Sequence, residues 1–263
     1  IMYAHLLLEK IDGIIKISLN RPELLNAINT KLLSELYDVI EKVKNDPDVK
    51  VLVLTGVGKA FSSGIELKVA LEEIVKAPQL ELLERVKKFH EMMYSLYTMD
   101  KITIAAINGL AIGLGLSLTL ACDLRIASEK AILATGYIRL GLHPDGGLTY
   151  FVTKLTNPAK ALELFLTSDF IDAKEAERIG LVNKVVPHEK LDEEVMSLAK
   201  RIAQGPLTAV KLLKRTIHEC INADLKTILE REALAIVLSS KTEDAEEGVR
   251  ALIEKRQPQF KGR

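Results

Sequence analysis

The chain lacks tryptophan altogether and has only two cysteines, Cys122 and Cys220, among its 263 residues. These cysteines are far apart and match no zinc-binding or redox spacing, so the sequence predicts reduced thiols, a cytoplasmic setting and no metal site. The chain also has no excess of charge, because 36 Lys and Arg residues balance 36 Asp and Glu residues. Without a basic surface, neither nucleic acid nor an anionic membrane is expected as a partner.

One segment without any charged residue, 102–122, is as long as a membrane span. Its first six residues, 102–107, have the composition of a β-strand, and Asn108-Gly109 then gives a turn signal. The sequence therefore predicts a buried strand that runs into a buried helix. The N-terminus also lacks the basic and apolar regions of a signal peptide, and we expect a soluble protein.

The hydrophobic periodicity divides the chain into two parts, a mixed α/β part and a helical part after Pro158. This organisation predicts a core over residues 1–200 and a C-terminal helical region over 201–263, with no linker between them. The predicted strands are 5–10, 14–19, 51–54, 102–107 and 124–127, and the predicted helices are 30–44, 79–98, 158–167, 173–179, 191–203, 206–221 and 242–255.

Two loop segments, 60–67 and 108–115, are candidates for a functional site, whereas complete phosphate-loop, dinucleotide, zinc-protease and serine-hydrolase signatures are absent. Both segments follow a predicted strand and contain glycine. At a strand-to-helix turn the first helical N–H groups lack partners, and glycine lets a ligand approach them. Two such turns facing each other would form an oxyanion hole. On spacing alone, two ordinary strand-to-helix connections are the simpler interpretation.

These two segments resemble the signature loops of the enoyl-CoA hydratase/isomerase (crotonase) superfamily. The resemblance implies a crotonase-like α/β fold, a spiral of ββα turns followed by a C-terminal helical region that trimerises. It also implies an acyl-CoA thioester as substrate, assembly as a homotrimer or a dimer of trimers, and no cofactor beyond the CoA of the substrate. Further matches in the family's order are Asn20-Arg21-Pro22, Asn26-Ala27, Leu140-Gly141, Pro144-Asp145-Gly146-Gly147, Gly180-Leu181-Val182 and Glu254-Lys255-Arg256.

The resemblance assigns the thioester oxygen to the backbone N–H groups of Ile65 and Leu114, with leucine in place of the usual glycine at 114. Ser117 and Tyr137 occupy the positions of the two glutamates of family hydratases, so hydration by the usual route is not expected. Asp145 stands where family isomerases have an acid. The pattern is thus closest to the Δ3,Δ2-enoyl-CoA isomerases, with Asp145 moving the proton as the double bond shifts from position 3 to position 2. Because a free Asp has a pKa near ~3.9, we expect a dry pocket that raises it.

Three other functions are consistent with the same residues. One is hydrolysis like that of 4-chlorobenzoyl-CoA dehalogenases, with Asp145 as nucleophile and His90 as base. The others are a hydratase-like lyase and an acyl-CoA-binding protein without turnover. Asp145 is also in a position to cap the following helix, and His90, beside Phe89, fits a hydrogen-bonded structural histidine.

The resemblance places further residues along the acyl-CoA. The pantetheine, the adenine and the phosphates are expected near one groove, and Phe260 of a neighbouring subunit is expected to cover the adenine. The predicted substrate-binding residues are Leu25, Ala27, Ala60, Ser62, Ser63, Gly64, Leu67, Lys68, His90, Gly113, Ser117, Tyr137 and Phe260.

Overall fold

The structure, a computed structural model, describes residues 3–262, and its strands form two sheets. The strands are β1 (Leu6–Ile11), β2 (Ile14–Leu19), β3 (Val51–Gly56), β4 (Ala60–Ser62), β5 (Ile102–Ile107), β6 (Leu110–Ile112), β7 (Leu124–Ser128), β8 (Ile132–Ala134), β9 (Ile171–Asp172) and β10 (Lys184–Val186). The six-stranded sheet has the order β1-β2-β3-β5-β7-β10, and the four-stranded sheet has the order β4-β6-β8-β9. The predicted antiparallel hairpin of β1 and β2 is confirmed.

The helices agree closely with the predicted ones, apart from α2 with its π-helical continuation and α10, which were missed. In α10 apolar residues lie on all sides of the helix, so no single stripe marks it. The helices are α1 (Thr30–Asn45), α2 (Leu67–Val69), which continues as a π-helix over Ala70–Val75, α3 (Gln79–Thr98), α4 (Leu114–Ala121), α5 (Leu148–Leu155), α6 (Pro158–Thr167), α7 (Ala173–Arg178), α8 (Leu191–Ala203), α9 (Leu207–Cys220), α10 (Leu225–Ser239) and α11 (Glu243–Ile253).

The chain winds as a spiral in which each turn adds one strand to each sheet and then a helix. The first turn is β3, β4 and the α2–α3 region, the second is β5, β6 and α4, and the third is β7, β8 and α5. Neighbouring turns pair in parallel in both sheets. This is the predicted spiral of ββα turns. As a result, the loops that leave β4 and β6 lie side by side.

Strand β3 shows why the body of the fold is buried on both faces. Its residues Val51 and Val53 pack against α8, whereas Leu52 and Leu54 face the larger core on the opposite side. Successive side chains of a strand point to opposite faces, so a wholly apolar run fits a strand covered on both. The two loops of the site are therefore mounted on rigid, fully packed strands.

The charge-free segment 102–122 forms the predicted buried strand, β5, and the predicted buried helix, α4, with the short strand β6, which was not predicted, between them. All eight residues of α4 are buried. In the part of the chain that the structure describes, no helix is both long enough and apolar enough to cross a membrane.

A buried ion pair fastens α9 to the sheets. The Lys214 ammonium, with only 4% of its side chain exposed, lies 2.8 Å from Asp123 Oδ2 and donates to the Lys101 carbonyl oxygen at 2.9 Å. Asp123 Oδ2 also accepts the N–H of Thr103 at 2.8 Å, and His218 Nε2 lies 3.3 Å from Asp123 Oδ1. The predicted boundary at residues 200 and 201 falls inside α8, which packs on the six-stranded sheet.

Candidate active site

Where the two loops meet, the backbone N–H groups of Ile65 and Leu114 have no hydrogen-bond acceptor within residues 3–262. Ile65 forms a parallel bridge with Ile28, in which Gly64 O accepts the Ile28 N–H at 2.7 Å and Glu66 N donates to Ile28 O at 2.9 Å. These two bonds flank Ile65, so its own N–H points the other way. Leu114 is the first residue of α4, and its N–H therefore has no intrahelical acceptor.

The two loops approach each other closely because residue 64 is glycine. A Cβ at Gly64 would lie 2.8 Å from Ile112 O and 3.6 Å from Leu114 N, and the φ of +89° at this residue also disfavours a side chain. Ile65 and Leu114 line the same two cavities, one of about 200 Å³ and one of about 120 Å³. Two donors that face one space have the arrangement that an oxyanion hole requires.

Gly115 determines how closely the N–H of Leu114, the second donor of the hole, approaches β4. A Cβ at this position would lie 2.5 Å from the backbone O of Ser62 and 2.7 Å from its side-chain Cβ. Helix α4 therefore starts in direct contact with β4. This contact fixes the N–H of Leu114 relative to the loop that carries Ile65.

We expect the substitution Gly115→Ala to lower kcat/KM by roughly 10- to 100-fold, because a shift of about 1 Å in a positioning group has that effect. Overpacking should also lower the free energy of unfolding by about 1–3 kcal/mol. The control is Gly205→Ala, where a Cβ would lie 3.1 Å from the Ile202 carbonyl oxygen, far from the hole. It should lose some stability and keep full activity. Equal activity losses in the two variants would contradict a positioning role for Gly115.

The structure brings Asp145 and His90 together, although 55 residues separate them. Asp145 Oδ1 contacts His90 Nε2 of α3 and accepts the N–H of Gly146 at 2.6 Å. Oδ2 makes no hydrogen bond to any residue in the range 3–262. Asp145 also lines the 120 Å³ cavity together with Ile65 and Leu114. One oxygen of the carboxylate is thus held and the other is available beside the hole.

Three expectations about this pair need correction. The Asp145 side chain is 31% exposed, so its pocket in this chain is not dry. His90 is half exposed and lines a cavity, and is not packed as a structural histidine. Asp145 does not cap α5 through its side chain either, because the residue that precedes the helix is Gly147 and no side chain caps it.

Tyr137 and Ser117, at the positions of the hydratase glutamates, have different surroundings. Tyr137 is 9% exposed and lines the 200 Å³ cavity. Burial, with a smaller contribution from the Asp145 charge, raises the pKa of its phenol, which stays neutral and cannot act as a base near neutral pH. Ser117 is fully buried, with Oγ 3.1 Å from the Asp145 carbonyl oxygen. Contrary to the expectation, Ser117 lines none of the cavities found beside the hole and instead ties the Asp145 loop to α4.

The other residues predicted to bind substrate fall into three groups. Ser63, Gly64, Leu67 and Gly113 line the 200 Å³ cavity, and their contact with substrate stays a prediction. Ala60 and Ser62 are fully buried and Ala27 is nearly so. The sequence predicted that these residues bind substrate, but their side chains are not accessible to a ligand. Ser62 instead accepts the Gly64 N–H at 3.1 Å and supports the hole.

The last group lies at the surface. Leu25 is 41% exposed and has a left-handed backbone, with φ of 52°. Lys68 is exposed. The Phe260 ring lies beside Gly248 of α11. Contacts of these residues with CoA stay predictions.

The sequence reasoning missed a set of aromatic residues beside Asp145. Tyr94 and Tyr97 of α3 and Tyr150 and Phe151 of α5 line a large cavity that also contains His90. On α3 the spacing of 90, 94 and 97 is that of one helix face, which was a usable signal. This signal was missed because α3 was interpreted as a helix that packs on the core.

The spiral of ββα turns, with two main-chain donors at the start of α4, defines a crotonase-type enzyme. Residues 9–263 match the sequence profile of the family described as enoyl-CoA hydratase/isomerase. The chain belongs to this family.

Known relatives of the chain include proteins named as hydratases and a protein named as an isomerase. The chain is 37% identical over 259 residues to crotonyl-CoA hydratase of Syntrophomonas wolfei, covering 98% of each chain. It is 32% identical over 253 residues to 1,2-epoxyphenylacetyl-CoA isomerase of Escherichia coli, covering 95% of this chain and 96% of the other. A crystal structure of an enoyl-CoA hydratase subunit from Geobacillus kaustophilus superposes with a TM-score of 0.92 at 35% identity, covering 99% of each chain. Membership therefore defines an acyl-CoA enzyme class that includes more than one reaction.

Proposed function

We propose that the protein is an enoyl-CoA isomerase that shifts a double bond from position 3 to position 2, with Asp145 as the proton carrier. The observation that carries this proposal is the Asp145 carboxylate beside the hole, whose Oδ2 makes no hydrogen bond within residues 3–262. The other acid that lines the same cavity, Glu73, accepts a hydrogen bond from Thr30 Oγ1 at 2.6 Å and lies 3.6 Å from an Arg85 nitrogen. The positions of the two hydratase glutamates hold no acid.

In the proposed reaction the thioester oxygen accepts both N–H groups, of Ile65 and Leu114, which makes the α-proton more acidic. Asp145 Oδ2 removes this proton, and the negative charge spreads over the dienolate and rests on the thioester oxygen. The same carboxyl group then returns the proton to the γ-carbon. His90 and the Gly146 N–H hold Oδ1 and so orient Oδ2. One acid is sufficient for both proton transfers.

The relatives give partial support to this reaction. The Escherichia coli relative is named an isomerase, whereas the Syntrophomonas wolfei relative is named a hydratase. A hydratase-like reaction in this chain would require a water activated by Asp145 and His90, since Ser117 is buried and Tyr137 is neutral.

The contact between His90 and Asp145 favours one second candidate, a hydrolysis like that of 4-chlorobenzoyl-CoA dehalogenases. There, Asp145 would attack the ring as a nucleophile and His90 would activate water for release of the product. The tryptophan that those enzymes have at position 137 is a tyrosine here, which weakens this candidate.

The test is to incubate the protein separately with trans-3-hexenoyl-CoA, crotonyl-CoA and 4-chlorobenzoyl-CoA and to identify the products by mass spectrometry and absorbance. We expect only trans-3-hexenoyl-CoA to be converted, into the conjugated 2-enoyl thioester. Hydration of crotonyl-CoA alone would replace the isomerase proposal with a hydratase. Chloride release would favour the dehalogenase-like reaction, and the absence of any conversion would favour an acyl-CoA-binding protein without turnover.

We also propose that the protein works in the cytoplasm as a homotrimer or a dimer of trimers, without a further cofactor. Its C-terminal helices leave many large apolar side chains exposed, which marks an interaction surface. Examples are Leu252 at 80%, Ile253 at 76% and Ile236 at 66% exposure.

Light scattering should therefore give a mass near three or six times the 29.1 kDa of one chain. The substitution Leu252→Asp should shift the mass toward the monomer, because a charge cannot be buried in an apolar interface without a partner. Leu80→Asp, at a residue that is 79% exposed on α3, is the control and should leave the mass unchanged. A monomeric wild-type protein would contradict the proposal.

A further inference from the structure

A largely buried ion pair links the two segments of the bridge that carries the first donor of the hole. The Arg21 nitrogen Nη1 donates to the Ala27 carbonyl oxygen at 2.6 Å and lies 2.9 Å from Glu66 Oε2. Ala27 precedes Ile28 and Glu66 follows Ile65, so one guanidinium group contacts both segments of the Ile28–Ile65 bridge. The Arg21 side chain is 9% exposed and the Glu66 side chain 27%. Water and salt therefore screen this pair less than they screen an ion pair at the surface.

The backbone of Arg21 is itself held by hydrogen bonds. Its N–H donates to the Asn26 side-chain oxygen at 2.8 Å, and its carbonyl oxygen accepts the Asn26 N–H at 2.9 Å. Asn26 is fully buried, and its side-chain nitrogen donates to the carbonyl oxygens of Val57 and Ala60. The guanidinium group thus reaches Glu66 from a backbone that is fixed to the start of β4.

The segment that follows Ile65 is weakly packed. Helix α2 has only three residues, and the side chains of Leu67 and Leu71 are 66% and 51% exposed. Glu66 precedes α2, where an acidic side chain often binds the free N–H groups of the first turn. Its carboxylate makes no such bond and contacts Arg21 instead. The direction of the chain at Ile65 therefore depends on the bridge and on this ion pair.

We propose that the ion pair of Arg21 and Glu66 orients the Ile65 N–H, so that both are positioning residues of the reaction. The inference rests on the proposed function in one respect, that the thioester oxygen accepts the Ile65 N–H. A donor stabilises the enolate fully only when it points at the oxygen before the negative charge develops. The ion pair holds Glu66 and the Ala27–Ile28 segment at a constant spacing, which keeps the direction of this N–H.

The first test measures kinetics of the full chain with trans-3-hexenoyl-CoA. Glu66→Ala should lower kcat by about 10- to 100-fold, the effect of a positioning error of about 1 Å, and should change KM by less than about threefold. The loss falls mainly on kcat because the enolate carries more charge on oxygen than the bound thioester does. Glutamine still presents an oxygen to the guanidinium group, so Glu66→Gln should recover most of the lost kcat.

The matched control is Glu175→Ala. It removes another pair of glutamate and arginine, Glu175 and Arg178 on α7, which line neither of the two cavities beside the hole. This control should keep the kcat of wild type.

A second measurement reports on the hole without any reaction. Hexanoyl-CoA with an isotope-labelled carbonyl carbon is bound to each variant, and its carbonyl band is recorded by infrared difference spectroscopy. Hydrogen bonds from the hole lower the wavenumber of this band relative to the same thioester in an apolar solvent. We expect the band in Glu66→Ala to move back toward the value in apolar solvent. The bands in Glu66→Gln and Glu175→Ala should stay near that of wild type.

A double variant separates positioning from folding. Glu66→Ala leaves the Arg21 charge buried without its partner, which lowers stability whatever the pair does for catalysis. Arg21→Met combined with Glu66→Ala removes that charge and should unfold at a higher denaturant concentration than Glu66→Ala alone. It should nevertheless be as slow as Glu66→Ala, because the link across the bridge is still missing. If Glu66→Ala does not fold, the double variant takes its place in both measurements.

Three results would overturn the proposal. They are Glu66→Ala with the kcat and carbonyl band of wild type, a double variant that regains the wild-type rate together with stability, and a kcat loss in Glu175→Ala as large as that in Glu66→Ala. Failure of the proposed function is a different result, in which wild type binds hexanoyl-CoA with the shifted band but does not convert trans-3-hexenoyl-CoA. The band then still decides whether the ion pair orients the Ile65 N–H.

Discussion

The variant Asp145→Asn is expected to conjugate trans-3-hexenoyl-CoA about 10²- to 10⁴-fold more slowly than wild type, measured as kcat by the absorbance of the 2-enoyl thioester. Asparagine keeps the size and shape of the side chain but cannot accept the α-proton. Tyr137 does not replace it, because its phenol is neutral. The backbone donors of the hole are unaffected, so the enolate loses its proton carrier and keeps its electrostatic support.

Two controls separate loss of chemistry from loss of binding or folding. Hexanoyl-CoA should bind Asp145→Asn within about threefold of wild type, because the hole is made of backbone groups. Asp48→Asn changes an exposed acid outside the site and should keep full activity. If Asp145→Asn retains more than a tenth of the wild-type rate, Asp145 is not the proton carrier and the proposed mechanism is wrong.

The second large effect concerns stability. Replacement of Lys214 by methionine is expected to lower the free energy of unfolding by about 3–5 kcal/mol, the cost of leaving a buried charge without its partner. Methionine has a similar length, so packing is largely kept, but Asp123, with 11% of its side chain exposed, loses its ammonium partner. Denaturant unfolding at one fixed protein concentration measures this change, since assembly makes stability depend on concentration.

The control is Lys211→Met on the same helix. Lys211 is 42% exposed and pairs with Asp100 at 2.6 Å, so its loss should change stability by about 0–1 kcal/mol. Similar decreases in the free energy of unfolding in both variants would show that the burial of Lys214 does not strengthen its contribution to stability.

The buried pair of Lys214 and Asp123 also predicts a pH dependence of the free energy of unfolding. Burial alone would raise the pKa of the Asp123 carboxyl, but the nearby His218 ring, the Lys214 ammonium and the Thr103 N–H together hold it below its usual range. Because the folded pKa is lowered, the stabilisation is fully present above the unfolded value of ~3.9 and is lost as the pH falls through the folded value. The difference in stability between wild type and Lys214→Met should therefore be largest above pH ~4 and shrink below it. A constant difference down to pH ~2 would contradict this account.

The fold could be predicted from the sequence where the hydrophobic pattern is long and one-sided. Helix α3 begins and ends at the predicted residues, 79 and 98, and the hairpin of β1 and β2 lies within one residue of its prediction. The strands β4, β6 and β8 were missed, because three residues are too few to show an alternation. They matter for function, since they hold the two loops of the site in register.

The site was predictable only in part, and mostly through resemblance. The spacing of 60–67 and 108–115 indicated two turns, but their convergence depends on pairing between spiral turns. The contact between His90 and Asp145 joins α3 to a loop 55 residues away, and no local pattern encodes it. The burial of Ser62 and Ser117 was equally hidden, because a small polar residue fits a pocket wall and a packed interior equally well.

The hole is built from the main chain, and this has a consequence for how the chain tolerates change. No side-chain substitution at Ile65 or Leu114, proline excepted, removes the N–H on which enolate formation would depend. The acid, by contrast, is one side chain on a separate loop. Sequence divergence can therefore exchange the proton-transfer groups while the machinery that holds the negative charge is inherited intact. Such a division lets descendants of one scaffold acquire new reactions through single substitutions.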